Sequence, residues 1–249
     1  MSPIIWVLII LAVIFNFLNG FHDSSNIVAT VIFSRALPPK VTLIITAVAE
    51  FLGPFIFGVA VAKTIGGEVV TSGTITISAV YAGLLAAIIW NLITWYIGIP
   101  SSSSHALIGG LIGAVIVNAG INAIQLSGLI KVLVALFASP IIGLMAGFLI
   151  TKLIFFLVRN ASPKINWFFK RAQIITSVGL ALSHGANDGQ KTMGIITLGL
   201  VTIGYIKTFY VPTWVIFISA LTMSLGIASG GTRLIKTLGQ KFFKIKPVD

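Results

Sequence analysis

Cysteine is absent from the 249 residues, which excludes disulfides and thiolate metal sites and leaves the redox compartment open. Charge is scarce as well. Only 8% of the residues are Asp, Glu, Lys or Arg, against 57% hydrophobic, so the chain cannot cover a water-facing surface with polar groups. That excludes a soluble globular domain and predicts an all-α integral membrane protein. No basic segment leads the apolar first twenty residues, so they are expected to be a retained span, not a cleaved signal peptide. Acids are rarest of all, five against sixteen basic residues, for a net charge of +11. In a soluble protein that excess would suggest nucleic acid. Here most of the basic residues fall between apolar runs, so no nucleic-acid partner is expected and the excess is read as membrane orientation.

What is present is organised around two short stretches, GFHDSSN at 20–26 and GANDGQK at 185–191. Each sets an acid and polar neighbours inside a long apolar run, where burying a charge costs roughly 2.5 to 3.5 kcal/mol. A cost met twice in similar lettering points to function.

A helix rises about 1.5 Å per residue and the hydrocarbon layer is about 30 Å thick, so roughly 20 apolar residues make one crossing. Spans are predicted over 4–33, 41–62, 79–97, 126–158, 173–206 and 212–228, with a shorter apolar run at 106–117 that either crosses or re-enters. Gly20 offers a break in the first span and Ser139-Pro140 one in the 126–158 span, while 63–78 reads as a loop. The loops at 34–40, 159–171 and 229–249 hold eleven Lys and Arg, whereas Lys63, Lys131 and Lys207 face the other way. The first set is therefore expected in the cytoplasm, with the N-terminus outside. Five crossings precede the second motif, so the Asp188 span should run opposite to the Asp23 span, as in inverted repeats whose motifs meet near the midplane.

Asn16, Asn19, Asp23, Asn26 and Thr30 recur at spacings of three and four, which puts them on one face of a continuous helix. Asn and Thr there serve either as interhelical hydrogen-bond glue or as oxygen ligands beside the Asp23 carboxylate, and both readings stay open. Glu50, alone in mid-span, either takes part in ion coupling or pairs with a basic group such as Lys191. Pro100 suits the opening of a helix, and Ser101, Ser102, Ser103 and Ser104 beside it can cap free backbone N–H groups. The positive end of such a helix, dressed with hydroxyls, is a cradle for a tetrahedral oxyanion, or simply a polar cap at the interface. His105 reads as a ligand, a proton carrier or a satisfied interfacial histidine, the last being the expectation. Ser104 and His105 are adjacent and point about 100° apart, which argues against a shared proton and a hydrolase.

The stretches NGFHDSSNIVAT at 19–30, PSSSSHALIGG at 100–110 and SHGANDGQKTMG at 183–194 closely resemble the PiT family of inorganic phosphate transporters, above all its bacterial low-affinity members. The resemblance implies an inverted-repeat symporter with broken helices and a serine-rich hairpin, not an enzyme, carrying phosphate into the cytoplasm with protons or sodium ions. In bacterial members of this kind the cargo extends to a neutral divalent metal–phosphate complex. It also implies substrate contacts from Asn26, Asn187 and the four serines, and ion coupling through Asp23 and Asp188, with no resident metal or cofactor. His22 and Glu50 join the coupling set. Because imidazole titrates near neutral pH and His22 stands where the second motif has Asn187, the proton is the preferred coupling ion.

The family carries a second serine/threonine-histidine hairpin, which would fall near position 265 against the last residue here, Asp249. The expected organisation is therefore a first repeat over 1–158, a basic cytoplasmic loop over 159–171 and an incomplete second repeat over 172–249. Alternatives are a sulfate or related oxyanion permease and a non-transporting remnant, and a homodimer is an open arrangement.

Overall fold

The first apolar run folds as α1 (Pro3–Phe33), 31 residues with its one proline at the first position, where no intrahelical N–H is lost. This is a computed structural model that describes residues 3–67, 75–230 and 235. The break expected at Gly20 does not occur. Gly20 serves instead as a contact point, since a Cβ there would lie 2.2 Å from the Met223 carbonyl oxygen.

α2 (Pro39–Phe57) opens on Pro39 after a turn in which Arg35 takes φ +58°. It stops where Gly58 turns to φ +79°, so the span predicted over 41–62 is divided, and α3 (Ala60–Gly67) occupies the start of the expected loop. Residues 68–74 of that loop lie outside the described residues, as does almost all of the basic tail, and the loop's last two positions belong to the next helix. α4 (Ile77–Ile97) begins with the Thr76 hydroxyl accepting from Ala79 N and ends at Gly98 in the left-handed region. α5 (Ser103–Ala119) follows, then a 3₁₀ turn at Ile121–Ala123 and α6 (Leu126–Val158). α6 runs through Pro140 without the predicted interruption, because one lost donor leaves the remaining turns of a 33-residue helix intact.

α7 (Ile165–His184) starts inside the basic segment expected to be a loop, so Lys170 and Arg171 sit on its opening turns, with Arg171 4.6 Å over the Trp167 ring. The second motif then forms a π-helical turn, Gly185–Gly189, that passes directly into α8 (Gln190–Thr202), and α9 (Thr213–Ser229) closes the described chain. No strand occurs among the described residues.

α1 packs against α9 and α4, α2 against α9 and α7, α3 against α8, and α4 against α5. Leu8, Phe15, Leu84, Leu107, Leu111, Met193, Ile196 and Leu200 fill the core. The outer surface is apolar too: Trp6, Ile10, Ile44, Leu92 and most of α6 are exposed, as lipid contact requires. α1, α2, α4 and α6 are each long and apolar enough to cross a membrane.

The contacts repeat in kind. A Cβ on Gly53 of α2 would meet Leu182 O at 2.4 Å and Ala186 N at 2.7 Å, and one on Gly226 of α9 would meet Phe17 O at 2.3 Å and Phe21 N at 2.8 Å. Leu182 and Ala186 stand 165 positions after Phe17 and Phe21, the same offset as the two acids. Each motif-bearing segment is thus gripped at one place by a glycine of its neighbour. Thr192 Oγ1 donates to Asn16 Oδ1 at 2.8 Å, and Ser177 Oγ to the Ile27 carbonyl at 2.8 Å. Contacts that advance along α1 while retreating along α7 and α8 mean that the two segments run antiparallel.

Candidate functional site

Where the antiparallel segments cross, a cavity of about 380 Å³ opens, lined by Asp23 and Asn26 of α1, His184 and Asp188 of the second motif, and Pro100 with the four serines. Three local devices place these groups. On α1, the spacing of three and four keeps Asn19, Asp23 and Asn26 on one side, and α1 has no break to disturb it. Before α5, Ser102 takes an extended conformation and its Oγ accepts from His105 N at 3.3 Å, so the first turn of the helix faces the cavity with its N–H groups outside the intrahelical ladder. In the second motif, the π turn widens the helix by a residue and swings Asp188 inward, a distortion frequent at functional sites.

The side chains interlock. Ser103 Oγ donates to Asn19 Oδ1 and to Asp23 Oδ2, the latter at 3.2 Å, while Asn26 Nδ2 donates to Asp23 Oδ1 at 3.3 Å. Ser104 Oγ donates to Asp188 Oδ2 at 3.3 Å. Lys191 Nζ donates to Asp188 Oδ1 at 2.6 Å and to Ser104 Oγ. Ser101 Oγ bonds Thr94 Oγ1 at 3.0 Å.

His184 lies at the centre. Its Nδ1 is 2.8 Å from Glu50 Oε1, and its Nε2 lies 3.6 Å from Asp23 Oδ2 and 3.7 Å from Asp188 Oδ2. Glu50 is 1% exposed and its Oε2 has no hydrogen-bond partner; Asn19 Nδ2, also buried, has none either. One ligand atom each from Asp23, His184 and Asp188 falls within 4.8 Å of the others, close enough to grip one cation. The cavity therefore sets an anion cradle of hydroxyls and a helix N-terminus beside a cation place of two carboxylates and an imidazole.

Of the residues proposed from sequence, Asp23, Asn26, Asp188 and the four serines meet at this cavity. Glu50 does not line it but holds His184, and its partner is this histidine, not Lys191. His22 lies behind Asp23, buried, with Nε2 3.3 Å from Thr94 Oγ1. Asn187 faces another cavity, of about 310 Å³, with Thr64, Lys131, Ser139 and Lys191. Neighbours on a helix diverge by about 100°, so Asn187 and Asp188 look into different spaces. His105 stands against the Phe137 ring on α6, away from Ser104. Asn16, which joins Ser219, Thr222 and Thr192, serves as interhelical glue. His184 is the member not singled out from sequence, and Lys191, named there only as a partner for Glu50, pairs with Asp188 instead. Their signal is their position, four before and three after Asp188, which is one helical turn either way.

Comparison with known proteins converges on one family. The phosphate transporter family matches residues 19–249. A probable low-affinity inorganic phosphate transporter of Bacillus subtilis (strain 168) is 44% identical over 246 residues, covering 97% of this chain and 74% of that one. A protein of the same description from Rhizobium meliloti (strain 1021) is 40% identical over 248 residues, covering 99% and 74%. Among solved structures, one described as the sodium-dependent phosphate transporter superposes with a TM-score of 0.88 over 99% of this chain and 80% of that one. At 24% identity, that likeness is one of fold.

Proposed function

This chain belongs to the phosphate transporter family, and from that membership we propose that it carries inorganic phosphate into the cytoplasm by symport with a cation. The observation that supports this most is the single cavity where the serine-lined start of α5 faces Asp23, His184 and Asp188. Phosphate would accept hydrogen bonds from the hydroxyls and the free N–H groups of the first turn. A cation held between the carboxylates beside it lowers the cost of moving that negative charge across lipid, which is the physical reason for coupling. The antiparallel course of the motif-bearing segments and their matched glycine contacts favour reading the chain as inverted repeats that rock about this site. The basic loops at 34–40 and 159–171 would face the cytoplasm, with the N-terminus outside.

The proton remains the preferred coupling ion, but the residue that favours it is His184, not His22. An imidazole among three carboxylates, one of which has an unpartnered buried oxygen, is a place where a proton can settle. A second reading is favoured by the close approach of the Asp23, His184 and Asp188 ligand atoms. With Glu50 orienting the imidazole from behind, they suit a divalent cation that would travel as a metal–phosphate complex.

Uptake of ³²P-phosphate into proteoliposomes tests the assignment. Accumulation under an imposed pH gradient, undiminished by excess sulfate, is expected. Accumulation under a sodium gradient alone would make sodium the coupling ion, and equimolar uptake of ⁵⁴Mn²⁺ with phosphate would favour the complex. Competition by sulfate points to a general oxyanion permease, and no accumulation under any gradient points to a non-transporting remnant.

A further inference from the structure

The two acids sit in corresponding half-sites that differ in the residue three positions after the acid. Asp23 has Ser103 on one oxygen at 3.2 Å and, three positions on, Asn26 on the other at 3.3 Å. Asp188 has Ser104 on one oxygen at 3.3 Å and, three positions on, Lys191 on the other at 2.6 Å. Asn26 and Lys191 stand 165 positions apart, the offset of the acids themselves. Where the first half-site presents a neutral amide, the second presents an ammonium.

We propose that the Lys191 ammonium is a tethered counter-cation that fills the cation place at Asp188 Oδ1 and Ser104, so that residue 191 sets how many mobile cations accompany each phosphate. Lys191 is buried, and its Nζ occupies the two oxygens that an incoming cation would need. An ammonium has donors only and cannot serve as a ligand, and its charge repels a second cation from the same oxygens. Asp188 Oδ2 still faces His184, so one mobile cation place remains, shared with Asp23. Asn26, by contrast, can turn its amide oxygen toward a cation at Asp23. Lys191 lines the 310 Å³ cavity beside Asn187 and is not among the residues that line the space of the four serines, so cargo binding does not have to displace it.

This inference rests on the symport reading, and two measurements separate the fates of the two. The first is the phosphate accumulation ratio at static head in proteoliposomes clamped at zero potential. Under a tenfold gradient of the coupling ion, wild type should reach about tenfold accumulation, and Lys191→Asn about a hundredfold. A wild-type ratio near a hundredfold overturns the proposal whether or not the variant folds, and leaves symport standing. The second is equilibrium binding of the coupling ion to purified protein, read as proton uptake in a pH titration if a pH gradient drives transport and as ²²Na⁺ retention if a sodium gradient does, which needs no transport by the variant. Lys191→Asn should bind one equivalent more than wild type, and Lys191→Arg should match wild type. Equal binding by folded wild type and Lys191→Asn overturns the proposal, even if transport fails and the symport reading with it.

Discussion

His184 reaches Glu50 with one ring nitrogen and approaches both Asp23 and Asp188 with the other, so this one side chain links all three acids. His184→Gln keeps a polar group of similar reach but removes the titrating ring, and uptake driven by a pH gradient should be lost while the protein still reaches the membrane. Full activity in that variant would remove the histidine from the mechanism. Asp23→Asn should likewise abolish coupled uptake at normal membrane levels. Ser103→Ala removes a donor to Asp23 and to Asn19. The Ser103 hydroxyl is also one of the proposed donors to phosphate, and a hydrogen bond to a charged group contributes about 1.5 to 3 kcal/mol, so the KM for phosphate should rise roughly 10- to 100-fold, measured by initial-rate uptake. At this scale the sequence is informative where burial is costly: acids in apolar runs and a serine run after proline name themselves. It is uninformative about which neighbour of an acid turns inward, because that depends on the π turn. Asn187 is therefore proposed from sequence but faces another cavity, and His184 goes unnoticed one turn from Asp188, while His22, on the unbroken α1, lies behind Asp23.

Among the helices, one residue type carries two opposite meanings. Gly20 looks like a place to break α1 and is instead where Met223 of α9 comes closest, whereas Gly58 does end a helix, at φ +79°. Nothing in the lettering separates the two uses, since lack of a Cβ permits both. Pro140 is ambiguous in the same way. Gln190 shows how a break can be held: its Oε1 accepts from Val61 N at 2.8 Å and Ala62 N at 3.3 Å, and its Nε2 donates to the Gly58 and Ala186 carbonyls. One side chain thus caps α3 and ties it to the turn that carries Asp188. The packing account predicts that Gly226→Ala, whose Cβ would meet the Phe17 carbonyl oxygen at 2.3 Å, destabilises by about 1 to 3 kcal/mol, read as a lower Tm in detergent. Gly143→Ala, in mid-helix with nothing within 4 Å of its Cβ, should not lower Tm. Equal melting of the two variants would refute close helix packing at Gly226.

Over the whole molecule, composition alone gives membrane residence, and the run lengths give most of the helices. The meeting of Asp23 with Asp188 follows from the antiparallel course of their segments, which the sequence suggests only by counting crossings. Absence of cysteine makes that count testable. A membrane-impermeant maleimide added to intact cells should label Thr208→Cys and spare Ser162→Cys, with the reverse in inside-out vesicles; labelling of both from one face would overturn the topology. The central claim is that phosphate and its cation share one cavity, so each must change the other's affinity by the same factor. Equilibrium binding of ³²P-phosphate to purified protein, titrated against the coupling ion, tests this most directly. The account predicts that the phosphate Kd tightens as the ion is added to wild type and that the dependence vanishes in Asp23→Asn. A Kd indifferent to pH and sodium in wild type, or the same dependence in Asp23→Asn, would contradict it.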